Sequence, residues 1–124
     1  MSGLAAGLLD KRIQIERDGP MVHNGLQNVP GPPTILGGTK RWASMKPGGG
    51  RERYANEENA ATAPVVWRIR WTAALDPDVA GGIGPGDRIR YPAKPEGALH
   101  DIKSAIVIGN RDGIEIATVR KASR

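Results

Sequence analysis

The sequence predicts an all-β fold: a small six-stranded barrel-like or sandwich domain with long loops and at most a short helix. Residues 63–75 place an apolar side chain at every odd position, which is the period of a strand with one buried face. The 17 glycines and 10 prolines imply frequent turns between short apolar runs. Phenylalanine is absent, so the core must be mainly aliphatic. At 124 residues, the chain is expected to form a single domain, residues 1–124.

This alternating stretch is expected to be the element on which the core is built. Trp67, Ile69 and Trp71 fall on its apolar face. Arg68 and Arg70 fall on the opposite face. A helix would distribute the apolar set around its circumference, so the alternation favours a strand. We therefore predict a core centred on the two tryptophans and Ile69, with the arginines facing solvent or a wet channel.

The other predicted strands are shorter runs bounded by turn residues. Together with 63–75 they make six, and they cover residues 10–17, 39–46, 87–91, 99–108 and 114–120. The strand at 99–108 carries apolar groups on both faces, namely Ile102, Ile106, Val107 and Ile108, which is typical of an interior strand. The hairpin turn before the last strand is expected at Asn110-Arg111-Asp112-Gly113, because Asp-Gly tolerates positive φ.

Three segments lack a clear period and are expected to lie outside strands. Residues 1–9 form an N-terminal segment with at most one helical turn, since two glycines weaken a helix there. Residues 18–38 are rich in proline and glycine and are predicted to be a long surface loop. Residues 47–62 contain helix formers but no apolar stripe, so a short exposed helix and a flexible loop both remain open.

Composition bounds the classes of function. The formal net charge of +5 suits contact with phosphate but is also common in proteins that need only solubility. The absence of cysteine excludes disulfides, thiolate metal sites and cysteine nucleophiles, and it fits folding in a reducing cytoplasm. No run of about 18 apolar residues is present, so no membrane span is expected. Residues 2–9 lack the basic region and the apolar length of a signal peptide.

No catalytic, cofactor or metal site is predicted, and the chain is not expected to be an enzyme. His23 and His100 lie in no ligand or nucleophile motif, so both are expected to be exposed or hydrogen-bonded. Asp76 and Asp78 lack the remaining ligands of a calcium loop, so turn and cap roles are expected for them. The glycine-rich stretches lack the Gly-Lys-Ser/Thr order of a phosphate loop.

A basic face is the one candidate surface that the residues themselves indicate. If the strands that carry them adjoin, four arginines form one patch: Arg68, Arg70, Arg88 and Arg90. Three aromatic residues could supply stacking surfaces: Trp42, Tyr54 and Tyr91. This arrangement would suit a free-standing β-barrel module that binds single-stranded nucleic acid. A solvated outer face is the favoured interpretation, because Trp67 and Trp71 fall on the side opposite the arginines.

The order of motifs along the chain is more specific than any one of them. A basic first strand at 9–17 is followed by Trp42-Ala43 in a strand that ends at Pro47. Gly50-Arg51-Glu52 comes next, and the strand Trp67-Arg68-Ile69-Arg70-Trp71 follows. A short strand after Gly86-Asp87 and a closing hairpin complete the order. In this respect the chain resembles the head–tail joining proteins (head-closure or stopper proteins) of tailed phages and of related gene-transfer particles. Residues 18–38 and Gly97-Ala98-Leu99 depart from the family pattern.

The resemblance implies a structural neck protein with no catalytic residues and no cofactor. Such proteins form a homo-oligomeric ring that seals the DNA-filled head below the portal and adaptor and that docks the tail. The expected partners are the adaptor or portal proteins, the tail-terminator proteins and packaged double-stranded DNA, bound without sequence specificity. Assembly is expected in the bacterial host cytoplasm, away from membranes. The segment after the second strand would face the channel, with Lys46, Arg51 and Arg53 as the candidates for DNA contact.

Overall fold

The computed structural model of the protein describes residues 9–23, 25–47 and 64–120. These residues form seven strands and two short 3-10 turns, the turns at Leu36–Gly38 and Ala73–Leu75. The strands are β1 (Lys11–His23), β2 (Asn28–Ile35), β3 (Arg41–Pro47), β4 (Pro64–Arg70), β5 (Arg88–Tyr91), β6 (Ala98–Ile108) and β7 (Gly113–Arg120). The predicted all-β class is confirmed.

The strand pairings form a ring. Six strands pair in the cyclic order β1, β3, β4, β7, β6 and β5, and a pairing between β5 and β1 returns to the start. All these pairings are antiparallel. In this order β4 lies three steps from β5, and β3 lies three steps from β6, whichever way the ring is followed. Outward side chains on β4 and on β5 therefore lie on opposite sides of the molecule, and so do those on β3 and on β6.

The interior of the ring is aliphatic around one indole. Trp67 is fully buried, and its indole Nε1 donates to the Thr118 hydroxyl at 3.0 Å. The edge of the indole contacts the rings of Tyr91 and His100. The buried apolar residues packed around it come from every strand of the ring: Ile13, Ile15, Ala43, Ile69, Ile89, Ile102, Ile114 and Ile116, with Leu75 and Ile83 from the connections.

Residues 18–38 were predicted to be a loop, and this prediction is wrong for most of the segment. Strand β1 continues to His23, and β2 pairs with it from Asn28 to Ile35. Prolines fit in β2 because it is an edge strand, whose outer side needs no backbone donors. A side chain at Gly19 would collide with the Pro32 carbonyl oxygen, so the close approach of the two strands requires glycine there. Two shifts in register accompany this crowding, and they disrupt the alternation by which strands are recognised.

The predicted strand at 63–75 is too long at its C-terminal end. Strand β4 ends at Arg70, and the chain then turns through Ala73–Leu75. Asp76 holds this turn, because its carboxylate accepts hydrogen bonds from the Trp71 indole at 2.9 Å and from the Asp78 backbone N–H at 2.8 Å. The turn and cap role expected of Asp76 is therefore seen. Leu75 still enters the core, so the apolar period continues after the strand has ended.

Two details of the last hairpin also differ from expectation. Ile106 is 55% exposed, so the outer half of β6 is not covered on both faces. The positive φ angles of the turn occur at Gly109 and Arg111, whereas Gly113 is the buried first residue of β7. The turn thus covers the four residues 109–112 between the register partners Ile108 and Gly113, one position earlier than the predicted 110–113. Leu9 is buried, but the remainder of the 1–9 segment, and residues 48–62 of the 47–62 segment, lie outside the described residues.

Candidate functional site

Strands β1 and β5 are joined by a buried cluster of ions. Glu16 is 4% exposed, and its carboxylate accepts from Arg90 Nε at 2.7 Å and from Gln14 Nε2 at 2.5 Å. Arg88 lies 3.6 Å from the same carboxylate and also pairs with Asp18 at 2.8 Å. Burial alone would raise the pKa of Glu16, but the hydrogen bonds from Arg90 and Gln14 and the charges of the two arginines outweigh it and lower the pKa.

A second buried ion pair lies beside this cluster. Arg17 donates to both oxygens of the buried Asp87 carboxylate, at 2.8 and 2.9 Å. The same guanidinium donates to the carbonyl oxygens of Gly81 and Gly82. The hydrogen bond with Asp87 raises the pKa of Arg17 above its ordinary value. The sequence pointed to Arg88 and Arg90 as basic residues but not to their partner Glu16, nor to the Arg17–Asp87 pair. The available signal was that Gln14 and Glu16 share a face of the first predicted strand.

The four arginines of the predicted basic face are not brought together. Arg68 lies on β4 and Arg88 and Arg90 lie on β5, which are opposite strands of the ring. Arg68 pairs with Glu115 at 3.0 Å, and both arginines of β5 pair with Glu16. Arg70 is exposed, and of the four it is the one with no carboxylate partner in the described part of the chain.

The aromatic candidates are also separated. Trp42 is 52% exposed on β3, with the Arg12 guanidinium 4.8 Å above its ring. Tyr91 packs edge-on against Trp67, with 5.6 Å between ring centroids. Trp71 is half-buried against the core and carries Arg111 at 5.0 Å from its ring. Tyr54 lies outside the described residues.

The candidates for the channel are seen only in part. Lys46 is exposed near the end of β3, where the chain leaves the ring. Arg51 and Arg53 lie outside the described residues, so their role remains a prediction from the sequence.

A cavity of about 500 Å³ lies at the end of the ring where β3 ends and β4 begins. Its walls include Met45, Val65 and Tyr91, and Arg120 lies at its edge. His100 also lines it and is 5% exposed, with no hydrogen-bond partner for Nδ1 among the described residues. The expectation that His100 is exposed or hydrogen-bonded is therefore wrong at this nitrogen. His23 is exposed, and its Nδ1 lies 3.2 Å from the Asn28 side-chain oxygen.

Burial of His100 makes the fold sensitive to mild acid. Burial, with a smaller contribution from the charge of Arg120, lowers the pKa of His100 to about 4 from its ordinary 6.5. Between these two pH values His100 is protonated in the unfolded chain but neutral in the folded chain. The free energy of unfolding therefore falls as the pH drops from about 6.5 toward 4. We expect urea unfolding to show this loss, and His100→Leu to remove it.

The matched control for that experiment is His23→Gln, which removes the exposed imidazole from the β1–β2 hairpin. The free energy of unfolding of this variant should fall as steeply as that of the wild type when the pH is lowered. The same slope in His100→Leu as in the wild type would show that another group is responsible.

The described residues contain no group of three or more His, Asp or Glu side chains placed to hold a metal ion. Within the same ranges, none of the helices has the length and apolar character needed to cross a membrane.

Comparison with known proteins adds two findings. A family model described as phage head completion protein matches residues 4–121. The fold resembles the solution structure of a Shigella flexneri 2a protein, with a TM-score of 0.63 and 20% sequence identity, over 98% of this chain and 100% of that one. At that identity the likeness shows the fold alone. A search of curated proteins finds no match to the sequence.

Proposed function

The chain belongs to the phage head completion protein family, and we propose that it forms the ring that closes the DNA-filled head below the portal and adaptor and that docks the tail. The match to the family model over residues 4–121 is the observation that carries the proposal. The family is one of structural proteins and not of enzymes. Its role implies a virion-associated location and contacts with other head or tail proteins.

The shape of the fold suits a ring subunit. A cyclic assembly joins each subunit to the next through two different surfaces, and a closed ring of strands offers outward faces on all sides. The β1–β2 hairpin extends beyond the six-stranded ring and carries exposed apolar side chains, namely Met21, Val22 and Leu26. Exposed apolar groups on a projecting element favour a contact with a neighbouring protein. Strand β2 also presents an edge, which another chain can extend by strand addition.

Within each subunit, the proposed channel side is the end of the strand ring at which β3 ends. Lys46 lies there, and Arg51 and Arg53 follow it in the sequence. Basic groups facing a channel need no base-specific contacts, because long-range attraction to phosphate is enough to hold DNA. Whether the particle is a phage or a gene-transfer particle makes no difference to this chemistry.

Deletion of the gene tests the proposal in the particle. We expect DNA-filled heads that leak their DNA or that fail to take tails, because the ring between head and tail is missing. Electron microscopy of particles from the deletion strain, with nuclease digestion of unprotected DNA, measures both effects. The matched control is the same strain with the intact gene supplied from a plasmid. Fully tailed, infectious particles from the deletion strain would disprove the proposed function.

The alternative from sequence analysis, a free-standing module for single-stranded nucleic acid, gains no support from the arginine pairs. They lie on opposite strands of the ring, and three of the four arginines are paired with carboxylates.

A further inference from the structure

The outer face of β1, β3 and β4 carries a row in which an indole lies between two guanidinium groups. Arg12 and Trp42 are register partners on β1 and β3. On β3 and β4, Ala43 pairs with Ile69, and both are buried. Trp42 precedes Ala43 on β3, and Arg70 follows Ile69 on β4. Because side chains alternate along each strand, Trp42 and Arg70 therefore share the outward face.

Lys40 adds one more cation beside this row, whereas Arg41 shares the inward face of its register partner, the buried Ile13. Lys40, Arg41 and Arg70 line a recess of about 190 Å³ together with Trp42 and Ile69. Arg41 makes one long hydrogen bond, from Nη2 to the Gly37 carbonyl oxygen at 3.4 Å. Its Nε is buried and has no partner in the described ranges. We call the outward set, comprising Arg12, Lys40, Trp42 and Arg70, the β3 basic face.

Two properties together distinguish the cations of the β3 basic face: they lie on or next to adjacent strands, and they lack a carboxylate partner in the described part of the chain, as do the separately placed Arg111 and Arg120. Arg17, Arg68, Arg88 and Arg90 each have a carboxylate within 4.0 Å. Within residues 9–23, 25–47 and 64–120, none of the three cations of the β3 basic face has one. Neighbouring like charges repel one another, so an unneutralised group of three favours an anionic partner.

The geometry restricts which anion fits. Three adjacent strands span roughly 10 Å at about 4.8 Å per strand spacing, so the row is wider than a single phosphate. The Arg12 guanidinium lies over the Trp42 indole, a contact that leaves its N–H groups able to donate to an anion. An acidic peptide would gain most by strand addition, but β3 is already paired on both sides, with β1 and with β4. A polymer with closely spaced charges and no need for backbone pairing is the better match.

We propose that the β3 basic face binds the phosphate backbone of double-stranded DNA, without base-specific contacts. The charge and the geometry of the face carry the inference. It rests on the proposed function only for the choice of double-stranded DNA as the nucleic acid. The contact is distinct from the predicted channel residues, because Trp42 and its neighbours lie on the outer wall of the strand ring, near the start of β3.

Fluorescence anisotropy of a short labelled DNA duplex, titrated with the full chain at several salt concentrations, tests the proposal. The test variant is Arg12→Gln with Arg70→Gln, which removes both charges that flank the indole. The control variant is Lys94→Gln with Lys103→Gln, which removes two exposed charges elsewhere. Lys103 lies on β6, the strand opposite β3 in the ring. Thermal unfolding of both variants checks that the fold is retained.

The wild-type affinity should fall steeply with salt. Loss of two phosphate contacts should flatten the slope of log K against log salt by about 1.8, at about 0.9 per contact. At about 50 mM salt, the same relation weakens binding on the order of 100-fold in the test variant. The control variant should bind far more tightly than the test variant. Equal losses in the two variants, or no loss in the test variant, would overturn the proposal.

Polyglutamate of matched charge provides the competing outcome. If it binds as tightly as DNA and loses affinity in the test variant, the face docks an acidic protein segment and the DNA proposal is wrong. The result also separates this inference from the proposed function. An unchanged DNA affinity in the test variant refutes the inference alone, whereas normal particles from the deletion strain refute the function in the neck.

Discussion

Replacement of Trp67 by alanine is expected to lower the free energy of unfolding by about 3–5 kcal/mol, the range for deletion of a large buried aromatic side chain. The indole is fully buried, and it contacts residues from β5, β6 and β7 at once. Its removal also leaves the Thr118 hydroxyl, which is 2% exposed at residue level, without its donor. Denaturant unfolding followed by circular dichroism measures the loss.

Two variants make this expectation specific. Arg68→Ala changes the next residue of β4, whose side chain is 43% exposed and paired with Glu115, and it should cost less than about 1 kcal/mol. Trp67→Phe keeps most of the volume and loses the hydrogen bond to Thr118, so it should cost about 1–3 kcal/mol. This variant serves if Trp67→Ala fails to fold. Similar losses for Trp67→Ala and Arg68→Ala would mean that the inward and outward faces of β4 are assigned wrongly.

The core residues inside the strand ring could be predicted from the sequence because buried side chains alternate with outward ones along each strand. Ile13 and Ile15, Trp67 and Ile69, and Ile114 and Ile116 each alternate with polar or exposed positions, and each pair is buried. The pattern gives no information about where a strand ends when the next turn also contributes to the core. Leu75 continues the period after β4 has ended, so the prediction ran on to residue 75.

The β1–β2 hairpin was missed for a different physical reason. An edge strand outside the core has no buried face to impose alternation, and prolines are tolerated there. What the hairpin needs is a close backbone approach at Gly19. That requirement appears in the sequence only as a glycine among prolines, which is also the composition of a loop.

Surface groupings depend on strand order, which one sequence does not specify. Arg68 with Arg70 and Arg88 with Arg90 look alike in sequence, yet their strands lie on opposite sides of the ring. Arg12 and Trp42 lie 30 positions apart in the chain, yet register makes them neighbours. The β3 basic face was therefore visible only after the pairing of β1, β3 and β4 was known.

Replacement of Glu16 by glutamine is expected to lower the free energy of unfolding at neutral pH by about 3–5 kcal/mol, the range for breaking a buried ion pair. The carboxylate is the shared partner of two arginine side chains that are themselves only 16% and 19% exposed. Glutamine can still accept one hydrogen bond through its amide oxygen, as the Pro95 and Gly97 carbonyl oxygens do, but the charge of Arg90 is left uncompensated inside the joint between β1 and β5. The same denaturant titration measures the loss, and Glu115→Gln is the matched control. Glu115 pairs with the more exposed Arg68, so that control should cost less than about 1 kcal/mol.

The pH dependence of the Glu16→Gln effect distinguishes loss of charge from a change in hydrogen bonding. The pKa of Glu16 is lowered in the folded chain, so the stabilisation by its carboxylate is complete above the ordinary value of 4.5 and is lost as the pH falls through the folded value. The stability difference between wild type and Glu16→Gln should therefore be constant from pH 7 down to about 5 and then shrink in stronger acid. His100 acts at higher pH, between about 6.5 and 4, so the two contributions are separable by measuring each variant across both ranges. A difference that persists unchanged in strong acid would assign the cost to the hydrogen bonding of the amide and not to the lost charge, and the ion cluster would then not be what closes the ring of strands.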